Sequence, residues 1–170
     1  TWYLLNGGLH MDGLMDTTDG FLSNRERDRV VEIMHDSTIG VFAVLALVLI
    51  VLGKFSVLAS VAIQPIEMGI FFASVRMGVL TAIHYFPSAS SSSMGNFFKR
   101  GASKNSYYLQ WLLLALIILF ARGKSFLFFP VAACLWGVLL SRLSVRKIGG
   151  LTGDVYGAIV ETGELFMLIL

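Results

Sequence analysis

An all-α, polytopic integral membrane helical bundle is the fold class that this sequence predicts, and three observations predict it. Apolar residues make up 56% of the chain and charged residues only 14%. The mean hydropathy is +0.76, well above that of ordinary soluble domains. The apolar residues are also gathered into runs of about 20, and at 1.5 Å per residue these cross a hydrocarbon core of about 30 Å. In lipid each backbone amide needs an internal partner, so runs of this length become helices.

Trp2 to Leu5 is apolar but too short to cross a bilayer, and reads as the tail of a longer helix. The expectation is therefore one membrane-embedded domain over 1–170, lacking upstream transmembrane sequence. Ile39 to Ile63 is apolar except for Lys54 and forms the first full span. Lys54 lies towards the far end of that span, where its long stem can snorkel to the interface. Pro65 then opens Ile66 to Phe86 through a tight Gln64-Pro65 link, with proline suited to a first helical turn. This second span carries Glu67 at its start and Arg76 near its middle. After a loop from Pro87 to Ser106, serine-rich at Ser90 to Ser93, come Tyr107 to Ala121 and Ser125 to Ser141. Arg122-Gly123-Lys124 separates these two. Asp154 to Leu170 is the last span, so the bundle has five clear spans and the tail of a sixth.

Threading the spans in order puts Arg25, Arg27, Arg29, Lys99, Arg100, Lys104, Arg142, Arg146 and Lys147 on one side. Lys54, Arg122 and Lys124 fall towards the other. By the positive-inside rule the first side is cytoplasmic. The net charge of +2 is spread over short connections beside acidic residues, so nucleic acid is not an expected partner. A single cysteine, Cys134, excludes an intrachain disulfide and a thiolate metal site, leaving a packing role. Tyr107, Tyr108 and Trp111 stand at a helix entrance, as aromatic residues do at the membrane interface.

The chemistry is concentrated in Gly7-Gly8-Leu9-His10-Met11-Asp12-Gly13-Leu14-Met15-Asp16-Thr17-Thr18-Asp19-Gly20. On a helix, Asp12, Asp16 and Asp19 fall within roughly 60° of one another. Like charges so close repel, and a hard cation such as Mg²⁺ is the natural compensation. The same threading that sorts the basic residues brings Asp154, at the start of the last span, to the face that holds these three. Metal candidates are thus Asp12, Asp16, Asp19 and Asp154. Glu161 shares a helix face with Asp154, whereas Glu164 is turned by roughly 80°. A carboxylate inside a span must be paired, wet or functional, and the same holds for Arg76. His10, beside the acidic run, can bind metal or phosphate.

Four segments together resemble a known family. They are the acidic run, Arg25-Glu26-Arg27, Glu32-Ile33-Met34-His35-Asp36-Ser37-Thr38-Ile39-Gly40, and Gly149-Gly150-Leu151-Thr152-Gly153-Asp154-Val155. In this order, over essentially the whole chain, they look like the cobalamin synthase family, whose members are adenosylcobinamide-GDP ribazoletransferases.

The resemblance implies a Mg²⁺-dependent enzyme of the last steps of cobalamin biosynthesis. A hydroxyl of α-ribazole, or of its 5′-phosphate, attacks adenosylcobinamide-GDP, and adenosylcobalamin or its phosphate forms as GMP leaves. On this expectation Asp12, Asp16, Asp19, Asp154 and Glu161 are catalytic, and Arg76 and His10 bind substrate phosphate. The two substrates and the lipid bilayer are the partners, and a homo-oligomer is compatible with the composition. Two other readings stay open. The acidic run is also similar to the signature of CDP-alcohol phosphotransferases, and intramembrane acids beside an arginine suit a cation transporter.

Overall fold

The computed structural model describes residues 7–89 and 103–170. Among them the chain forms seven α-helices: α1 (Leu9–Leu22), α2 (Arg27–Met34), α3 (Val41–Ser60), α4 (Pro65–Tyr85), α5 (Lys104–Ala121), α6 (Phe128–Ile148) and α7 (Gly153–Ile169). A 3-10 turn, Lys124–Leu127, leads into α6. The expected tail at Trp2 to Leu5, and Ser90 to Ser93 with Lys99 and Arg100, lie outside the described residues.

Four segments are long and apolar enough to cross a membrane: α3, α4, α5, and Lys124–Ile148, which joins the 3-10 turn to α6. α7, expected as a further span, has 17 residues and forms the axis of the bundle. α1, α3, α4 and α6 all pack on it, and its face from Val155 to Met167 is buried. α3 and α5 lie outside, with only Ala43 and Ile50 buried in the first and Leu114 and Ile118 in the second. Most of their other apolar side chains are exposed, as surfaces facing lipid tails should be.

Local chemistry sets the element ends. Pro65 occupies the first turn of α4, and the Glu67 carboxylate accepts the Gln64 N–H at 2.8 Å, closing a capping box. Arg122 reaches across to pair with Glu67 at 3.2 Å, which ties the start of α4 to the end of α5. α6 ends on Gly149 at φ 80°, a left-handed backbone that favours glycine. The Gly150 to Thr152 link is then held against the segment after α4. Leu151 donates its N–H to the Pro87 carbonyl at 2.9 Å, and Ala89 donates to the Leu151 carbonyl at 3.0 Å.

The helical ends differ from expectation in two places. α6 runs on to Ile148 rather than stopping at Ser141, because Arg142, Arg146 and Lys147 continue the helix beyond its apolar stretch. α2 was not expected at all: its residues are half charged and half apolar, and only Val30 and Met34 are buried. The Tyr107 ring stacks on His84 at 5.3 Å and meets Tyr108 edge-on at 5.5 Å. Cys134 is half-buried beside Thr81, 3.2 Å from its hydroxyl.

Candidate active site

Asp12, Asp16 and Asp19 lie on one face of α1, and the first turn of α7 carries Asp154 up to them. The approach is possible because residue 13 is glycine. A Cβ there would fall 2.7 Å from the Asp154 Cα, and one on Gly157 would fall 2.8 Å from the His10 carbonyl. The two backbones therefore touch, as small residues allow when helices pack without intervening side chains. At the start of α7, the Thr152 hydroxyl accepts the Val155 N–H at 3.4 Å and faces the Asp154 carboxylate at 3.3 Å.

All four aspartates, joined by Asp36, line one open cavity of about 520 Å³. Among the described residues none of the five forms an ion pair with lysine or arginine. The charge accumulates accordingly. Burial first, then the neighbouring Asp12, Asp154 and Asp19 charges, push the Asp16 carboxyl up to about 6. Asp36 goes the other way, because the N–H and hydroxyl of Thr38, both at 2.9 Å, favour its ionised form.

Among the described residues no three His, Cys, Asp or Glu side chains are close enough to cage a metal by themselves. The donor set nonetheless suits a hydrated hard cation. Mg²⁺ keeps several waters and is usually bound by one or two carboxylates together with substrate phosphates. Asp12, Asp16 and Asp154 are the residues that could hold it there.

Asp19 is engaged differently. Its Oδ2 accepts the Gly40 N–H at 2.6 Å and its Oδ1 accepts the Ala43 N–H at 2.9 Å. It thus caps the N-terminus of α3 from another helix, satisfying amides that have no intrahelical partner. The sequence placed it as an equal of Asp12 and Asp16; the fold gives it a second task.

Glu161 and Glu164 sit deeper, both buried in the packed face of α7. Glu161 is about 10 Å along the helix from Asp154, fully buried, and does not line the aspartate cavity. Lys54 reaches both carboxylates, Nζ lying 2.6 Å from Glu161 Oε2 and 2.8 Å from Glu164 Oε2. Arg76 Nη1 is 3.0 Å from Glu164 Oε1. The snorkelling expected of Lys54 is therefore corrected: its side chain turns inward, because two buried acids need a counter-charge more than the ammonium needs the interface. Arg76 pairs with Glu164, not with Glu161. Glu161 is held as a buried ion-pair member, away from the carboxylates that line the cavity.

A second cavity, of about 380 Å³ and mostly apolar, opens between α1, α4 and α7. Arg76 and His10 both line it, and Asp154 lines both cavities. The Tyr156 hydroxyl and the His10 Nδ1 are buried in its wall with no hydrogen-bond partner among the described residues. Sequence reasoning passed over Tyr156 and Asp36. For Asp36 a signal existed in the Asp36-Ser37-Thr38 turn chemistry; for Tyr156 none did, since one tyrosine in an apolar helix looks like packing.

The sequence model of the cobalamin-5-phosphate synthase family matches residues 1–170. An adenosylcobinamide-GDP ribazoletransferase from Clostridium botulinum (strain Loch Maree / Type A3) is 37% identical over 171 residues, covering 98% of this chain and 69% of that protein. The protein of the same name from Desulfitobacterium hafniense (strain Y51) is 37% identical over 177 residues, covering 98% and 68%. That from Brevibacillus brevis is 34% identical over 180 residues, covering 99% and 70%. No solved structure matches the chain.

Proposed function

This chain belongs to the cobalamin-5-phosphate synthase family, and from that premise we propose that it is an adenosylcobinamide-GDP ribazoletransferase working on the cytoplasmic face of a prokaryotic inner membrane. The reaction joins α-ribazole, or its 5′-phosphate, to adenosylcobinamide-GDP and releases GMP. The hydroxyl oxygen of the ribazole ribose forms a new bond to the cobinamide-linked phosphorus. The bond from that phosphorus to the bridging oxygen of GMP breaks, and the hydroxyl proton passes to a carboxylate of the cavity.

The observation that carries this reading is the meeting of Asp12 and Asp16 on α1 with Asp154 on α7 around one cavity. A pyrophosphate brought to so acidic a wall would be repelled without a counter-charge. Mg²⁺ held by Asp12, Asp16 and Asp154 would neutralise the pyrophosphate and stabilise charge on the departing GMP. The residues' own contribution is geometric: α1 and α7, locked at Gly13, fix the carboxylates relative to one another so that the reacting atoms are held in line. Asp19 keeps the rim of the cavity in place through the start of α3. The intramembrane acids that suggested an ion pathway are instead compensated by Lys54 and Arg76.

The test is direct. Purified protein in detergent, given adenosylcobinamide-GDP, α-ribazole and Mg²⁺, should release GMP and form adenosylcobalamin in equal amounts, and chelation with EDTA should stop both. Absence of both products from a folded preparation would refute the assignment.

A further inference from the structure

The apolar cavity beside the aspartates lacks a role in the reaction as described so far. Its walls come from Leu9, Val79, Leu80, Ile83 and Val160, and its few polar groups are Arg76, His10, Tyr156 and Asp154. An apolar pocket with a small number of convergent polar groups is the usual form of a small-molecule site. A buried tyrosine hydroxyl normally finds a partner, yet Tyr156, only 6% exposed, has none among the described residues. Asp154 connects the two cavities, so a molecule seated in the apolar one has an edge at the carboxylates.

We propose that this cavity is the acceptor-nucleoside site, taking the flat apolar base of α-ribazole between α1, α4 and α7, with the Tyr156 hydroxyl donating to the base's free ring nitrogen. The inference rests on the reaction proposed above. Size selects between the two substrates, because a corrinoid macrocycle cannot enter about 380 Å³, a volume suited to a small ligand. Polarity selects between the two bases present. Guanine carries several donors and acceptors that these aliphatic walls would leave unpaired, at substantial cost. A methylated benzimidazole has a single ring nitrogen to satisfy and apolar edges for the rest. With the base so placed, the ribose lies at Asp154, on the boundary with the cavity where the pyrophosphate is held.

The experiment measures α-ribazole binding and turnover separately, on the full chain in detergent. Equilibrium dialysis with labelled α-ribazole needs no second substrate and no chemistry. Wild-type protein should bind α-ribazole, and guanosine should not compete. Tyr156→Phe should raise the KM for α-ribazole about 10-fold, the scale of one buried hydrogen bond, with the KM for adenosylcobinamide-GDP within about twofold of wild type. Val79→Trp, which fills the cavity, should abolish α-ribazole binding; Val79→Ile is the milder variant should tryptophan unfold the protein, and should weaken binding without loss of fold. Unchanged α-ribazole binding in Tyr156→Phe and both Val79 variants would overturn the proposal. So would competition by guanosine, or an effect confined to the KM for adenosylcobinamide-GDP. Wild-type protein that binds α-ribazole but releases no GMP would remove the reaction and leave the site. Normal turnover with indifferent variants would remove the site and leave the reaction.

Discussion

Gly13 and Asp154 are in backbone contact: a methyl group on the first would lie 2.7 Å from the Cα of the second. The placing of Asp154 against Asp12 and Asp16 depends on that contact, because it fixes how far α7 can stand from α1. Gly13→Ala should push the helices apart, destabilising the fold by about 1–3 kcal/mol, the range for overpacking. Activity should fall much further than stability. Thermal unfolding and GMP release, measured on the same preparation, separate the two effects.

Asp12→Asn and Asp16→Asn should each lower GMP release by about 10²-fold or more, the scale lost when reacting groups are misplaced. Their folds should remain intact, since neither side chain pairs with a lysine or arginine among the described residues. Near-normal turnover in either variant would exclude that residue from the metal site.

Asp19→Asn should behave otherwise. An amide can accept only through its one oxygen, so one of the two amides at the start of α3 loses its partner. The expected cost is about 1–2 kcal/mol of stability, as for a lost helix cap, together with partial rather than near-complete loss of turnover. Circular dichroism melts compared across the three aspartate variants would reveal the difference.

The raised Asp16 carboxyl has a stability consequence in metal-free protein. Its value is about 6 in the fold against 3.8 ordinarily, so between these pH values the folded chain holds a proton that the unfolded chain has released. Stability should therefore fall as pH rises from about 4 to 6, and the full penalty should be present above that window. The side chain is only partly buried, so screening by solvent should keep the slope shallow. Melting temperatures across this range should flatten in Asp16→Asn, and Mg²⁺ should recover stability at pH 7 but not at pH 4.

Lys54→Met should remove the ammonium that Glu161 and Glu164 share, leaving Arg76 on Glu164. Breaking a buried ion pair by removing one partner costs about 3–5 kcal/mol, and Glu161→Gln in the same chain should return part of it. A melt of the single and double variants decides this; equal stability of Lys54→Met and wild type would show that the network carries no structural load.

Much of this arrangement was legible from residue order. The helical spacing of Asp12, Asp16 and Asp19, and their meeting with Asp154, followed from counting spans and basic residues, because membrane crossing restricts topology so strongly. The double engagement of Asp19 was not legible: its partners are the backbone amides of Gly40 and Ala43, and backbone groups carry no sequence label. Lys54 was misread for a related reason. Snorkelling is a property of one side chain, whereas its actual direction depends on two acids more than a hundred positions away. α2 escaped notice because only Val30 and Met34 face the core, too few to set up a visible period.

α3 buries only Ala43 and Ile50 fully, yet it is pinned at two heights, by Asp19 at its top and by Lys54 lower down. Such a helix behaves as a bolt with two keyways: it can neither turn nor slide without releasing a charge. One residue inserted between Ala43 and Lys54 would rotate the ammonium by about 100° into the hydrocarbon, so the spacing between these anchors, rather than the identity of the oily residues along it, is what this strut has to preserve.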